Sequence, residues 1–213
     1  MLYWVTTVLA FGYFAVELFL LTARRGTESV KYADRGTLIA VWGLISVGCF
    51  GGFLLARRIT ALNWPEGSWI LCLADSLLVC GLALRLWAIL HLGKYFTVDV
   101  GIQPGHRVIQ DGPYRFVRHP SYSGALIALA GIGCLTFNWL GLALILICTS
   151  LAYALRIPVE EKALLAQFGS EYEKYAAAPS GWFQGSINFP AFEFWNPDFW
   201  QTTNPPKFYR HWH

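Results

Sequence analysis

Apolar residues run through this chain in long stretches that carry almost no charge, and the polar residues collect in the gaps between them. The stretches lie at about 1–22, 37–56, 69–90, 121–137 and 139–156. About 20 helical residues cross a hydrocarbon core of roughly 30 Å, so the pattern predicts about five transmembrane helices. The last two are short and joined by "FNWL", which reads as a tight helical hairpin. Between the third and fourth stretches, "KYFTVDVGIQPGHRVIQDGPY" alternates apolar and polar residues around Pro104-Gly105, the pattern of a small β-hairpin on the membrane surface. After the helical hairpin, Val159, Ala163, Leu164, Phe168, Tyr172 and Tyr175 recur at helical spacing. They predict an amphipathic interfacial helix, interrupted near Gly169. Pro158 is expected to end or kink the span before it. The fold class is therefore an all-α integral membrane protein. Its expected parts are transmembrane helices over 1–90, a polar-rich core over 91–178 and an aromatic tail without clear period over 179–213.

Composition agrees with that class. The chain is 55% hydrophobic and 14% charged, with mean hydropathy +0.43, where soluble domains carry about 25% charge. Lys and Arg fall mainly in 23–36, 91–120 and the region after 156, against Arg57 and Arg58 on the other side. By the positive-inside rule those three segments face the cytosol and the N-terminus faces outside. Arg24 and Arg25 follow the first apolar stretch, which reads as a retained helix and not a cleaved signal. A net charge of +3, distributed by topology, gives no nucleic-acid footprint. Cys49, Cys72, Cys80, Cys134 and Cys148 all sit in apolar stretches without a CxxC pair. They read as buried small hydrophobes, with no disulfide framework and no metal site. Glu17, Asp75 and Arg85 lie at or within membrane depth, where ionisable groups mark candidate function. Glu17 and Arg85 are near helix ends and read as snorkelling side chains.

The densest chemistry is in "GPYRFVRHPSYSG", residues 112–124. Pro120 suits the first turn of a helix, and His119 before it is biased toward extended backbone. A helix starting there directs free N–H groups and a positive dipole end at the same mouth as Arg115, Arg118 and His119, a setting for a carboxylate. Tyr114 and Tyr122 add aromatic faces for a cation or a flat base. The chain returns to this side with "RIPVEE", where Arg156 and Glu160 are four apart and share a helix face. Glu160 and Glu161 suit an ammonium or ribose hydroxyls. An amino-acid-like ligand bearing a nucleoside fits this set. Each residue also has a plainer role: basic anchors for Arg115 and Arg118, a helix cap for His119, a solvated face for Glu160 and Glu161. Gly131 and Gly133 lie mid-helix and read as packing residues, and Tyr172 and Tyr175 as interfacial anchors.

"GPYRFVRHPSYSG", the hairpin and "RIPVEEKALLAQFGSEYEKY" together resemble the isoprenylcysteine carboxyl methyltransferase family and its phospholipid methyltransferase relatives. The family pattern is G-P-Y-R-x-x-R-H-P-x-Y-x-G, then R-x-x-x-E-E, then F-G-x-x-Y-x-x-Y. "LGKYF" at 92–96 resembles a further element, and the likeness covers about 85–176. It implies S-adenosyl-L-methionine as methyl donor, held by Tyr114, Arg118, His119, Pro120, Tyr122, Gly124, Glu160 and Glu161. Arg156 would stand nearest the acceptor, with Arg156 and Glu160 as the catalytic pair and no metal. It also implies a donor arriving from the cytosol and a lipophilic acceptor arriving from the bilayer.

After Tyr175 the sequence reads "AAAPSGWFQG" where the family continues with basic residues. The acceptor is therefore open among a prenylcysteine carboxylate, which is favoured, a phospholipid amine, a thiol, and another lipophilic acid or phenol. Two other readings stand beside it: an NADPH-dependent membrane sterol-type reductase and a non-enzymatic membrane scaffold. The Glu160-Glu161 pair argues against the reductase, because a 2′-phosphate prefers basic partners.

Overall fold

The fold is that of a computed structural model, which describes residues 2–23, 36–65, 67–98 and 107–177. Among the described residues, four helices are long and apolar enough to cross a membrane. These are α1 (Leu2–Ala23), α2 (Thr37–Arg58), α3 (Ser68–Leu92) and α5 (Trp139–Phe168). Between α3 and α5 stands α4 (Pro120–Cys134), and α6 (Ser170–Ala177) follows α5. Their outer faces carry large apolar groups such as Trp4, Phe11, Phe19, Phe50 and Ile147, the surface a lipid-facing bundle requires. The chain is thus an all-α, multi-pass membrane protein.

α4 is shorter than its apolar stretch implied. Its 15 residues rise about 22 Å, less than a hydrocarbon core. α5 differs in the opposite direction: its 30 residues pass straight through Pro158. Of the two outcomes expected of Pro158, an end or a kink, the end is overturned. Loss of one backbone donor is tolerated in a membrane helix when neighbours satisfy the freed carbonyl. The break falls instead at Gly169, whose φ of +51° is left-handed. No strand forms among the described residues. Phe96–Val98 and residues 107–110 flank the expected β-hairpin without pairing, and Pro104-Gly105 lies outside the described residues, as does the tail from 178. Arg24, Arg25, Lys31 and Arg35 also lie outside them.

In lipid, helices gain little from burying apolar side chains against one another, so close backbone packing at small residues must hold the bundle. α4 packs chiefly on α3, and α5 chiefly on α2. At Gly81 an added Cβ would stand 2.4 Å from the Ala128 nitrogen, and at Gly124 it would stand 2.6 Å from the Arg85 nitrogen. Gly131 approaches the Ala74 carbonyl in the same way, which bears out its packing role. On the other seam, Gly48 and Gly52 meet Cys148, Ile145 and Gly141. Cys72 and Cys80 are exposed, contrary to the expectation that all five thiols are buried, because the outside of this bundle is itself apolar.

The tip of the α4–α5 hairpin is fixed by polar contacts. Asn138, fully buried, caps α5 by accepting from Leu140 N and Gly141 N at 2.9 and 3.2 Å. Its amide donates to the Ile59 carbonyl at 2.8 Å and to Asn63 Oδ1 at 2.6 Å. Trp64 and Trp139 meet edge to face beside it.

Gly81→Val forces the α3 and α4 backbones apart and should lower the melting temperature of the detergent-purified protein, at a cost of about 1–3 kcal/mol or more. Gly12→Ala on α1, with nothing within 4 Å of its Cβ position, should leave melting unchanged or slightly raised. Equal melting of the two variants would show that the α3–α4 contact is not tight.

Candidate functional site

Where α4 begins and α5 leaves the bundle, one cavity is walled by all of α1 to α6 and by the segments before α4. Its entrance loop is specified locally. Gly112 has φ +58°, and a Cβ there would meet the His91 ring at 2.6 Å, so this turn needs glycine. His91 Nε2 contacts Asp111 Oδ1 at 3.0 Å, and the ring stacks near Tyr114 at 6.5 Å. That contact with His91 holds the exposed Asp111 carboxyl below the usual carboxylate range.

The polar end of the cavity is an aromatic ladder with acids beside it. His119 stacks on Tyr122 at 5.8 Å between ring centres, and Tyr122 on Tyr153 at 4.8 Å. Tyr122 Oη donates to Glu160 Oε2 at 2.7 Å, which joins the first turn of α4 to the far turns of α5. His119 Nε2 and Arg118 Nη1 both reach Glu161 Oε1 at 3.0 Å. His119 makes no side-chain cap on α4, so its ring serves this contact and not the helix end.

Tyr172 and Tyr175 on α6 are buried against this chamber, which overturns their reading as interfacial anchors. Tyr175 Oη donates to the Tyr114 carbonyl at 2.8 Å, and Tyr114 Oη donates to the Ala88 carbonyl at 3.4 Å. Burial raises the phenols of Tyr114 and Tyr172 and pushes Tyr175 up to about 12, so all three remain neutral donors near pH 7. Ala163, Leu164 and Phe168 line the same cavity. The apolar stripe taken for a lipid-facing surface therefore closes the chamber, because the turn at Gly169 folds α6 back over it.

The lining also has an apolar part, to which Phe14 and Leu21 of α1 and Leu38, Val41 and Trp42 of α2 contribute. Two arginines stand at the boundary. Arg156 is 3% exposed and donates to Thr37 Oγ1 at 2.6 Å and to the Val98 carbonyl. Arg85 meets Glu17 in a two-point ion pair: Nε lies 2.5 Å from Oε1, and Nη2 donates to Oε2 at 2.7 Å. Neither side chain snorkels; both are turned inward and nearly buried.

Of the expected site residues, Tyr114, Arg118, His119, Pro120, Tyr122, Arg156 and Glu160 line this one cavity. Glu161 does not line it and instead clamps Arg118 and His119 from behind. Gly124 does not either; it lies in the α3–α4 contact. Trp42 and Tyr153, which the sequence pattern did not single out, are part of the lining, and so are Glu17 and Arg85, marked as candidates at membrane depth but read as snorkelling. The sequence signal for Glu17 and Arg85 was an ionisable group within an apolar stretch, of opposite sign in the two.

The sequence pattern of the isoprenylcysteine carboxyl methyltransferase family matches residues 72–166. Among curated proteins, protein-S-isoprenylcysteine O-methyltransferase B of Arabidopsis thaliana is 34% identical over 53% of this chain and 59% of its own length. A probable protein-S-isoprenylcysteine O-methyltransferase of Oryza sativa subsp. indica is 34% identical over 58% of this chain and 68% of its own length. The Schizosaccharomyces pombe protein-S-isoprenylcysteine O-methyltransferase is 32% identical over 65% of this chain and 63% of its own. The chain thus spans roughly three fifths to two thirds of the length of these relatives.

Tyr175→Phe leaves the buried Tyr114 carbonyl without its partner and should cost about 1–3 kcal/mol in the docking of α6. Faster proteolysis around Gly169 at unchanged circular dichroism is the expected outcome. Unchanged cleavage would mean that this contact does not hold the roof.

Proposed function

Because the chain belongs to the isoprenylcysteine carboxyl methyltransferase family, we propose that it is a membrane methyltransferase using S-adenosyl-L-methionine, with a lipophilic carboxylate of the prenylcysteine kind as acceptor. The observation that carries the reading is the cavity's two-part lining. A chamber of aromatics, acids and bases is continuous with an apolar trough between α1 and α2.

The chamber suits the donor group by group. When bound, the cofactor supplies a methyl group already activated by its sulfonium, so alignment and exclusion of water matter more than proton transfer. Tyr153, at the end of the ladder and in the cavity lining, offers an aromatic face that suits the sulfonium charge. Glu160, held by one hydrogen bond from Tyr122, keeps acceptor capacity for the ammonium or ribose hydroxyls. Arg118, braced by Glu161, and the N-terminal turn of α4 suit the methionine carboxylate.

The acceptor side follows the same logic. Arg156, fixed to α2 through Thr37, orients an acceptor carboxylate while the apolar body lies along Phe14, Leu38 and Trp42. A carboxylate is ionised at neutral pH and needs no base. α1 packs mainly on α3, which leaves its side toward α2 for an acceptor arriving from the bilayer. The basic segments around this end of the bundle favour a cytosolic chamber and an N-terminus outside.

The deciding experiment is a thermal shift on the detergent-purified protein with S-adenosylhomocysteine and NADPH in separate wells. A ligand at about a hundred times its dissociation constant stabilises by roughly 2.7 kcal/mol. A shift with S-adenosylhomocysteine alone is expected, and a shift with NADPH alone would replace this reading with reduction. Glu160→Gln should weaken S-adenosylhomocysteine by about ten-fold or more, the value of a hydrogen bond to a charged group. Trp42→Ala should leave that affinity alone and raise the acceptor KM by roughly ten-fold through lost apolar contact. The reverse pattern in these two variants would exchange the two ends of the cavity.

A further inference from the structure

Glu17 lies on α1, outside the residues 72–166 that carry the family pattern, yet it faces the same cavity as they do. Its pairing with Arg85 places two charges inside the bundle, with side chains only 8% and 12% exposed. Stability alone does not account for such a pair, because desolvation offsets much of the Coulombic gain. Charged groups at membrane depth generally mark a role instead.

The third contact of Arg85 indicates that role. Its Nη1 donates to Ser121 Oγ at 2.9 Å and to the Ser121 carbonyl at 3.2 Å. Ser121 is the second residue of α4. The next residue, Tyr122, carries the hydroxyl bonded to Glu160, and two residues before Ser121 stands His119, in contact with Glu161. One planar guanidinium therefore ties α1 and α3 to the turn from which the chamber's aromatic ladder is built. The Cβ-less Gly124, one turn further along α4, brings the Arg85 backbone close enough for this reach. A lysine at position 85 would keep a charge beside Glu17 but lacks the fork that serves two partners.

We propose that Glu17 and Arg85 are positioning residues: through Ser121 they set the first turn of α4, so that α1, a helix outside the matched core, tunes cofactor affinity. This rests on the reading of the chamber as the cofactor site.

The test is isothermal titration of S-adenosylhomocysteine into the full chain in detergent, well below the melting temperature of every variant, paired with the acceptor KM. Arg85→Lys and Glu17→Gln should weaken S-adenosylhomocysteine by about ten-fold while the acceptor KM moves by less than about two-fold. Ser121→Ala should weaken it less, and adding Ser121→Ala to Arg85→Lys should bring little further loss, since the two share one contact. Leu9→Ala, which loosens α1 where it packs on the core, controls for simple destabilisation and should lower melting while keeping the affinity. Wild-type affinity in both charge variants would overturn the proposal. So would a raised acceptor KM at unchanged affinity, or a loss that Leu9→Ala reproduces. If Arg85→Lys does not fold, Glu17→Gln and Ser121→Ala carry the same decision. An unaltered chain that binds no S-adenosylhomocysteine would remove the chamber reading itself, a result separate from equal binding by parent and variants.

Discussion

The approach of the α3 and α4 backbones at Gly81 and Gly124 is the contact on which the remaining geometry depends. In a hydrocarbon solvent apolar side chains have no preference for one another over lipid, so the seam is held by contact density and by the polar groups it shields. Closing that seam puts the Arg85 backbone against Gly124 and the Arg85 guanidinium against Ser121. From Ser121 the geometry runs to Tyr122, then to Glu160 on α5, and by stacking to Tyr153. Widening the seam by one methyl group at Gly124 would shift each of these partners, since each bond is defined to a few tenths of an ångström.

Placement of charge follows from the same solvent. An ionised side chain in a membrane needs a partner, and three of the cavity's arginines show theirs. Arg85 takes a carboxylate, Arg118 shares a carboxylate with His119, and Arg156 takes a hydroxyl and a backbone carbonyl. Glu160, one turn further along α5, is an acid whose charge acts on Arg156. Arg85, with a carboxylate and both oxygens of Ser121 taking its donors, is committed to contacts within the bundle.

Much of this was legible in the sequence, and the parts that were not share a cause. The membrane class followed from long uncharged stretches, and the chamber from an ordered set of polar blocks; Arg118, His119, Tyr122 and Glu160 do meet in space. Misreadings arose where a periodicity has two physical solutions. An amphipathic stripe over 159–175 fits a lipid surface or a closed cavity equally well, and only the turn at Gly169 decides between them. Likewise Glu17 and Arg85, near helix ends in the linear sequence, suit snorkelling until tertiary packing sets them face to face. Gly124 and Glu161 belong to the motif blocks, yet the first acts through helix approach and the second through its neighbours' side chains. Their motif positions report that they are needed, not what they touch.

The unequal lengths of α4 and α5 give the site its depth. Both start from one hairpin tip, where Asn138 fixes the turn. A rise of about 22 Å for α4 against about 45 Å for α5 means that α4 begins well below the level where α5 ends. The difference leaves a recess of roughly 20 Å beside the last turns of α5, floored by the N-terminus of α4 and covered by α6. The backbone donors at the start of α4 can therefore serve a polar ligand in the recess without any span being broken. The same cavity takes apolar lining from α1 and α2, so polar and apolar groups can be held side by side in it.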